Sequence, residues 1–171
     1  MALNREVGTG GREPRVSIVV PFFNAEETLA RALESAGKCL GVGELIAVDD
    51  GSRSDDGSRI AEAFGRSAPF PVFLVRQENS GPAAARNRGI GAASLDWIGF
   101  LDADDELLPD GISARLSHLA LCPDSDTVTA VYGGFQRDDT GRPQPFAITT
   151  GNVVPDRIGC AGGFPGGAPA Y

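Results

Sequence analysis

Val16-Ser17-Ile18-Val19-Val20-Pro21-Phe22-Phe23-Asn24 is the stretch from which the architecture follows. A short run of apolar, mostly β-branched residues ended by Pro21 suits a strand buried on both faces. Asn24 followed by Glu27 fits an N-cap with its capping-box partner. Leu29, Leu33, Ala36 and Leu40 then recur at helical spacing, which predicts a helix over 25–37. The same unit repeats downstream. Glu44-Leu45-Ile46-Ala47-Val48 reads as a second buried strand, followed by a helix over 56–65 capped by Ser54 or Asp55. Val72-Phe73-Leu74-Val75 is a third strand, and Gly81-Pro82 opens an alanine-rich helix with proline near its first position. Trp97 to Leu101 is a fourth strand, Pro109 starts a helix reaching Leu121, and Val128 to Tyr132 is a fifth strand. Strand–helix alternation at this spacing predicts an α/β domain, a mostly parallel sheet covered by helices on both faces.

Composition narrows the function. The chain has 171 residues, with 15 Lys+Arg against 23 Asp+Glu, for a formal charge of −8. Polyanion binding needs a basic footprint, so nucleic acid is excluded as the main partner. The chain has no run of about 18 apolar residues, the length a membrane-spanning helix requires. Met1 to Pro14 lacks an apolar core and reads as a flexible tail, not a secretory signal. Cys39, Cys122 and Cys160 make no metal-binding spacing and read as reduced thiols, placing the protein in the cytoplasm. His118 lies in an apolar-periodic stretch and reads as a helix-face residue, which removes triad chemistry. Lys38 is the one lysine, so a phospho-receiver domain, which needs a lysine after a late strand, is excluded too. A haloacid-dehalogenase-type phosphatase needs its nucleophilic Asp after the first strand, where Pro-Phe-Phe-Asn stands instead.

In open parallel sheets ligands bind beyond the carboxyl ends of the strands. Polar or acidic groups fall there three times: Pro21 to Asn24, Asp49-Asp50-Gly51-Ser52, and Asp102-Ala103-Asp104-Asp105. The last begins a run of five acids between positions 102 and 110, directly behind an apolar strand. Crowded carboxylates repel unless a cation compensates them. Oxygen ligands without histidine or cysteine select a hard ion such as Mg²⁺ or Mn²⁺, typically shared with substrate phosphates. Such an ion reconciles an acidic protein with an anionic diphosphate. A solvated acidic loop capping the next helix is the plainer reading of these residues, and their place at a strand end weighs against it. Asp49-Asp50-Gly51-Ser52 is by itself a common turn sequence, recurring at 55–58 where a helix start explains it. Arg86 and Arg88, early in the alanine-rich helix, can reach a phosphate or simply face solvent.

Taken in order, Val-Ser-Ile-Val-Val-Pro-Phe-Phe-Asn (16–24), Val-Asp-Asp-Gly-Ser (48–52), Gly-Pro-Ala-Ala-Ala-Arg-Asn-Arg-Gly (81–89) and Phe-Leu-Asp-Ala-Asp-Asp (100–105) resemble the family 2 glycosyltransferases over roughly 15–135. The resemblance implies a GT-A, Rossmann-like fold, a nucleotide-diphospho-sugar donor with UDP-sugars favoured, a divalent metal, and transfer with inversion. It places Pro21, Phe23 and Asn24 in the loop lining the nucleoside pocket, and Asp50, with Asp49 beside it, at the base. It makes Asp102-Ala103-Asp104 the DxD motif, Asp102 toward ribose and phosphate and Asp104 on the metal, with Asp105 a further ligand. Arg86 and Asn87 fall in the helix motif near the donor. Many relatives serve membrane-linked glycan pathways, so a glycan or lipid-linked acceptor and a peripheral membrane location are compatible with it.

One departure stands out. The family's general base is an acid well over 60 residues beyond the DxD, and here 66 residues follow Asp105. Asp138, Asp139 and Asp156 come too early and lack the motif, so no base is assigned. Residues 136–171 read as a loop or hairpin around Asp138 to Gly141, then the Gly/Pro-rich start of an acceptor region cut short. The expectation is a chain that binds donor and metal but transfers slowly, or, alternatively, a non-catalytic nucleotide-sugar-binding or scaffolding module.

Overall fold

The β-branched run at Val16 forms β1 (Val16–Phe22), and every residue of it is buried. The computed structural model describes residues 15–119, 128–132, 135–137, 143–145 and 149–153. The expected tail 1–14, Cys122, Cys160, Asp138, Asp139 and Asp156, and the side chain of His118, lie outside them. Two compact units divide the chain, Met1–Leu116 and Ser117–Tyr171.

In the first unit, α1 (Leu29–Gly37), β2 (Val42–Asp49), α2 (Asp56–Gly65), β3 (Val72–Arg76), α3 (Pro82–Ala92) and β4 (Trp97–Phe100) follow β1, and α4 (Gly111–Leu119) begins after β4. The strands form one parallel sheet in the order β3-β2-β1-β4. Strand alternation sends Ile18, Val20 and Phe22 to one face and Val19 to the other. On the first face a Cβ on Gly57 of α2 would meet Phe22 and Leu29, so α1 and α2 cover that side. On the second, α3 packs through Ala85 against Val19, Ile46 and Val48. Helices on both faces are therefore as expected. Complete burial of every strand is not: β3 and β4 are the sheet's outer strands, and Phe73, Ile98 and Phe100 stay exposed beside α3, which covers only the two central strands.

Several boundaries differ from the sequence expectation. β1 does not stop at Pro21 but runs through Phe22. Val19 O accepts from Leu101 N on the β4 side, so the nitrogen of Pro21, two residues on, faces the same side, where β4 has already ended. The missing N–H therefore costs no ladder bond. The capping box at Asn24 and Glu27 does not form. Asn24 takes a left-handed φ of 49°, and α1 starts at Leu29 with Thr28 as N-cap. At α2 the amide of Asp56 donates to Ser54 Oγ at 3.3 Å, while Asp55, the N-cap, makes no side-chain capping bond. α4 starts at Gly111, two residues after Pro109, with Ala114 N donating to Asp110 O.

In the second unit, β5 (Val128–Tyr132) pairs antiparallel with β8 (Thr149–Val153), and β6 (Phe135–Arg137) with β7 (Pro143–Pro145). β6 and β7 flank residues 138–142, so the turn expected around Asp138 to Gly141 lies outside the described residues. The fifth strand is thus present, but its partner is antiparallel.

Candidate functional site

Strands β1, β2 and β3 step outward in one direction, and α3 then crosses back to lay β4 on the far side of β1. That reversal leaves a crevice at the carboxyl ends of β1 and β4, the usual ligand position in open α/β sheets. The structure has a cleft there of about 580 Å³. Pro21, Phe23 and Asn24 line it from the loop after β1, Asp50 from the end of β2, Arg86 from α3, and Asp102, Ala103 and Asp104 from the loop after β4. Motifs about 80 residues apart in sequence therefore line one cleft.

Short hydrogen bonds stitch the loops together. Asn24 N donates to Ser52 Oγ at 3.0 Å, and Arg53 N donates to Asn24 Oδ1 at 2.9 Å. Asn tolerates the left-handed conformation this requires better than most residues. Gly51 is left-handed as well, at φ 77°, and a Cβ there would stand 2.7 Å from Asn79 N. The loop after β3 is thereby pressed against the loop after β2.

Asp49 and Asp50 are neighbours with different surroundings, because successive residues at a strand end point to opposite faces. Asp49 turns to the α2 face, where Ser58 Oγ and Ser52 N donate to its carboxylate at 2.8 and 2.9 Å. It is buried and does not line the cleft. Asp50 turns to the α3 face. Its Oδ1 accepts from Gln77 Nε2 at 2.7 Å and Ser80 N at 2.9 Å, and its Oδ2 from Gly81 N at 2.9 Å. Asp50 so organises the start of α3, with acceptor capacity left on Oδ2.

At the opposite wall, Arg86 Nη2 pairs with Asp102 Oδ1 at 2.5 Å. Three carboxylates (Asp50, Asp102, Asp104) face this one guanidinium around the cleft. Asp105 is not part of the lining; its carboxyl is raised above the ordinary carboxylate range by partial burial, then by the charges of Asp104 and Asp102. Asn87 faces a separate cleft of about 320 Å³ with Val75, Arg88, Gly91 and Ala92. Thr28 and Asn79 line the cleft without having been singled out in the sequence, and Gln77 and Ser80 support Asp50 from behind it. Their position in the loops after β1 and β3 is the advance signal they carry.

Among the described residues, three or more His, Cys, Asp or Glu side chains nowhere converge as a cage for a metal ion. The oxygen-only set at 102–104 nevertheless fits a hard divalent cation completed by phosphate oxygens, which needs only one or two carboxylates from the protein.

Sheet order and a cleft at the switch point define an α/β domain of the GT-A, Rossmann-like type. The chain belongs to Glycosyl transferase family 2, whose pattern matches residues 17–162. It is similar to the succinoglycan biosynthesis protein ExoU of Rhizobium meliloti (strain 1021), 38% identical over 134 residues that cover 78% of this chain and 39% of that protein. It is also similar to the minor teichoic acid biosynthesis protein GgaA of Bacillus subtilis (strain 168), 41% identical over 95 residues, 52% of this chain and 21% of that one. Among solved structures, S. aureus TarS 1–349 in complex with UDP superposes with a TM-score of 0.55 at 25% identity, over 67% of this chain and 34% of that one. The chain thus spans less than half the length of these relatives. Among the described residues no helix is long and apolar enough to cross a membrane.

Proposed function

We propose that the cleft binds the nucleoside diphosphate of an activated sugar, a UDP-sugar by preference, and that the whole protein transfers the sugar with inversion. The observation that carries this reading is the meeting of Asp50 with the Asp102–Asp104 loop at the β1/β4 switch point. Asp50 Oδ2 accepts from a base N–H, and Phe23, 44% exposed at the cleft, offers an aromatic face to the base. Asp104 and Asp102 would hold Mg²⁺ or Mn²⁺, while Asp105, outside the lining, is set aside as a ligand. A divalent cation held there would supply positive charge to offset that of the diphosphate. Arg86 changes partner from Asp102 to a phosphate oxygen, which its planar fork suits.

The TarS complex with UDP supports the uridine preference, and the names of ExoU and GgaA support a place in envelope or exopolysaccharide synthesis. The general base stays unassigned.

The test is thermal shift with UDP, with and without Mn²⁺. UDP with Mn²⁺ should raise the melting temperature, EDTA should remove most of the gain, and Asp104→Ala should abolish the metal dependence. Absence of a metal-dependent shift with UDP, GDP or dTDP overturns the reading.

A further inference from the structure

Arg31, Ser35 and Cys39 recur every fourth residue along α1 and just past its end, so they stand above one another on one face of the helix. Each bonds the segment that follows β4. Arg31 Nη2 donates to the backbone oxygen of Asp104 at 3.3 Å, and its Nε pairs with Glu106 Oε1 at 3.0 Å. Ser35 Oγ accepts from Leu107 N at 2.9 Å. Cys39 Sγ donates to the backbone oxygen of Leu108 at 3.1 Å.

These three contacts differ in kind. Ser35 and Cys39 are buried, so they tie the backbone of residues 107 and 108 to a fixed part of the fold. Burial also pushes the Cys39 thiol up, keeping the proton it donates. At the other end Leu101 N is tied to Val19 O. The acidic segment 102–106 hangs between these anchors, and Arg31 reaches into it from outside. The Arg31–Glu106 pair is 58% and 36% exposed, which makes it a poor contributor to global stability. Its reach to the Asp104 backbone instead bears on where the Asp104 carboxylate sits.

We propose that Arg31 is a positioning residue for the metal-and-diphosphate loop, with α1 as the rail that sets the place of Asp104 at the cleft. This rests on the donor reading above. The charge of Arg31 makes the inference testable by sign. If Arg31 acted only through its field, removing a positive charge beside the acidic loop would tighten cation binding. If it positions Asp104, removing it loosens binding.

The experiment is a Mn²⁺ titration at saturating UDP, followed by the electron paramagnetic resonance of free Mn²⁺, on the parent, Arg31→Met and Arg31→Lys. Arg31→Met should weaken Mn²⁺ binding by about 10-fold, as loss of a group that orients a metal ligand does. Its unliganded melting temperature should stay within about 2 °C of the parent's, and UDP binding in EDTA should be unchanged. Arg31→Lys, which keeps the charge and one donor, should recover part of the loss. Mn²⁺ affinity in Arg31→Met equal to or tighter than in the parent overturns this inference alone. A parent that takes up no Mn²⁺ with UDP overturns the donor reading and this inference with it.

Discussion

Asp49 and Asp50 show how far one step along a strand separates two identical side chains. Asp49 is a buried acceptor for Ser58 and Ser52, and Asp50 is a cleft residue that gathers Gln77, Ser80 and Gly81. Asp49→Ala should therefore lower unfolding free energy by about 2 kcal/mol, the scale of losing a charged acceptor from buried donors, read by urea denaturation. Asp50→Asn should act on binding. The amide presents one acceptor oxygen where two carboxylate oxygens now serve three donors, so UDP affinity should drop about 10-fold even without metal, about one charged hydrogen bond. Calorimetric titration checks it, and equal UDP affinity in both proteins would remove Asp50 from the base site. The Asp-Asp pair was legible in the sequence as a strand end. Which of the two faced the cleft was not, because that choice depends on which helix covers which side of the sheet.

Among the helices, α3 is the one whose composition is dictated by its path. It must cross from β3 to β4 over the two central strands, and it does so with small residues against the sheet. A Cβ added at Gly89 would come 2.2 Å from Val19 Cγ1, a contact with a buried, branched side chain that cannot move aside. Gly89→Ala should cost about 1–3 kcal/mol by overpacking. The double variant with Val19→Ala should recover part of that loss, since the two sites share one space. Comparison of the single and double variants by urea denaturation tests this; no recovery would mean that the helix, not the packing, resists the change. The alanine- and glycine-rich stretch 81–92 was legible as a helix from Gly81-Pro82 onward, and Pro82 does occupy its first turn. Asn24 was misread for the opposite reason. Its side chain suits an N-cap and a left-handed turn equally, and only the neighbouring Ser52–Arg53 loop decides between them.

Across the whole sheet, structure and chemistry occupy opposite ends. Glu44, 5% exposed near the start of β2, lies far along the strand from Asp50. It accepts from Ser17 Oγ and Ser94 N at 2.6 Å each and from Ser94 Oγ at 2.7 Å, tying β1, β2 and the segment before β4 together. Desolvation acts to raise its carboxyl, but the bonds from Ser17, Ser94 and Leu95 outweigh it and hold the group below the ordinary carboxylate value. A depressed folded-state value means the contribution is complete above the unfolded value and is lost as pH falls through the folded one. Glu44→Gln should thus be less stable than the parent by about 2 kcal/mol near neutrality. The gap should close on acidification below the carboxylate range, while UDP and Mn²⁺ binding at neutral pH stay at the parent's values. Chemical denaturation across pH is the measurement, and a gap independent of pH would show that the charge of Glu44 is not what the network uses.

By itself the sequence determined the alternation of strands and helices, the parallel sheet, and three polar strand ends, because periodicity and turn chemistry are local. It also showed the crowding of acids behind the fourth strand, because that too is a local pattern. Tertiary structure alone decided that β4 lies beside β1, bringing Asp102 and Asp104 to the same cleft as Asp50. It also decided that Asp49 and Asn87 turn away from that cleft, and that Arg31 reaches Asp104 across 73 positions of sequence. Those outcomes follow from strand order and from which helix covers which face, relations between distant segments that local pattern does not carry.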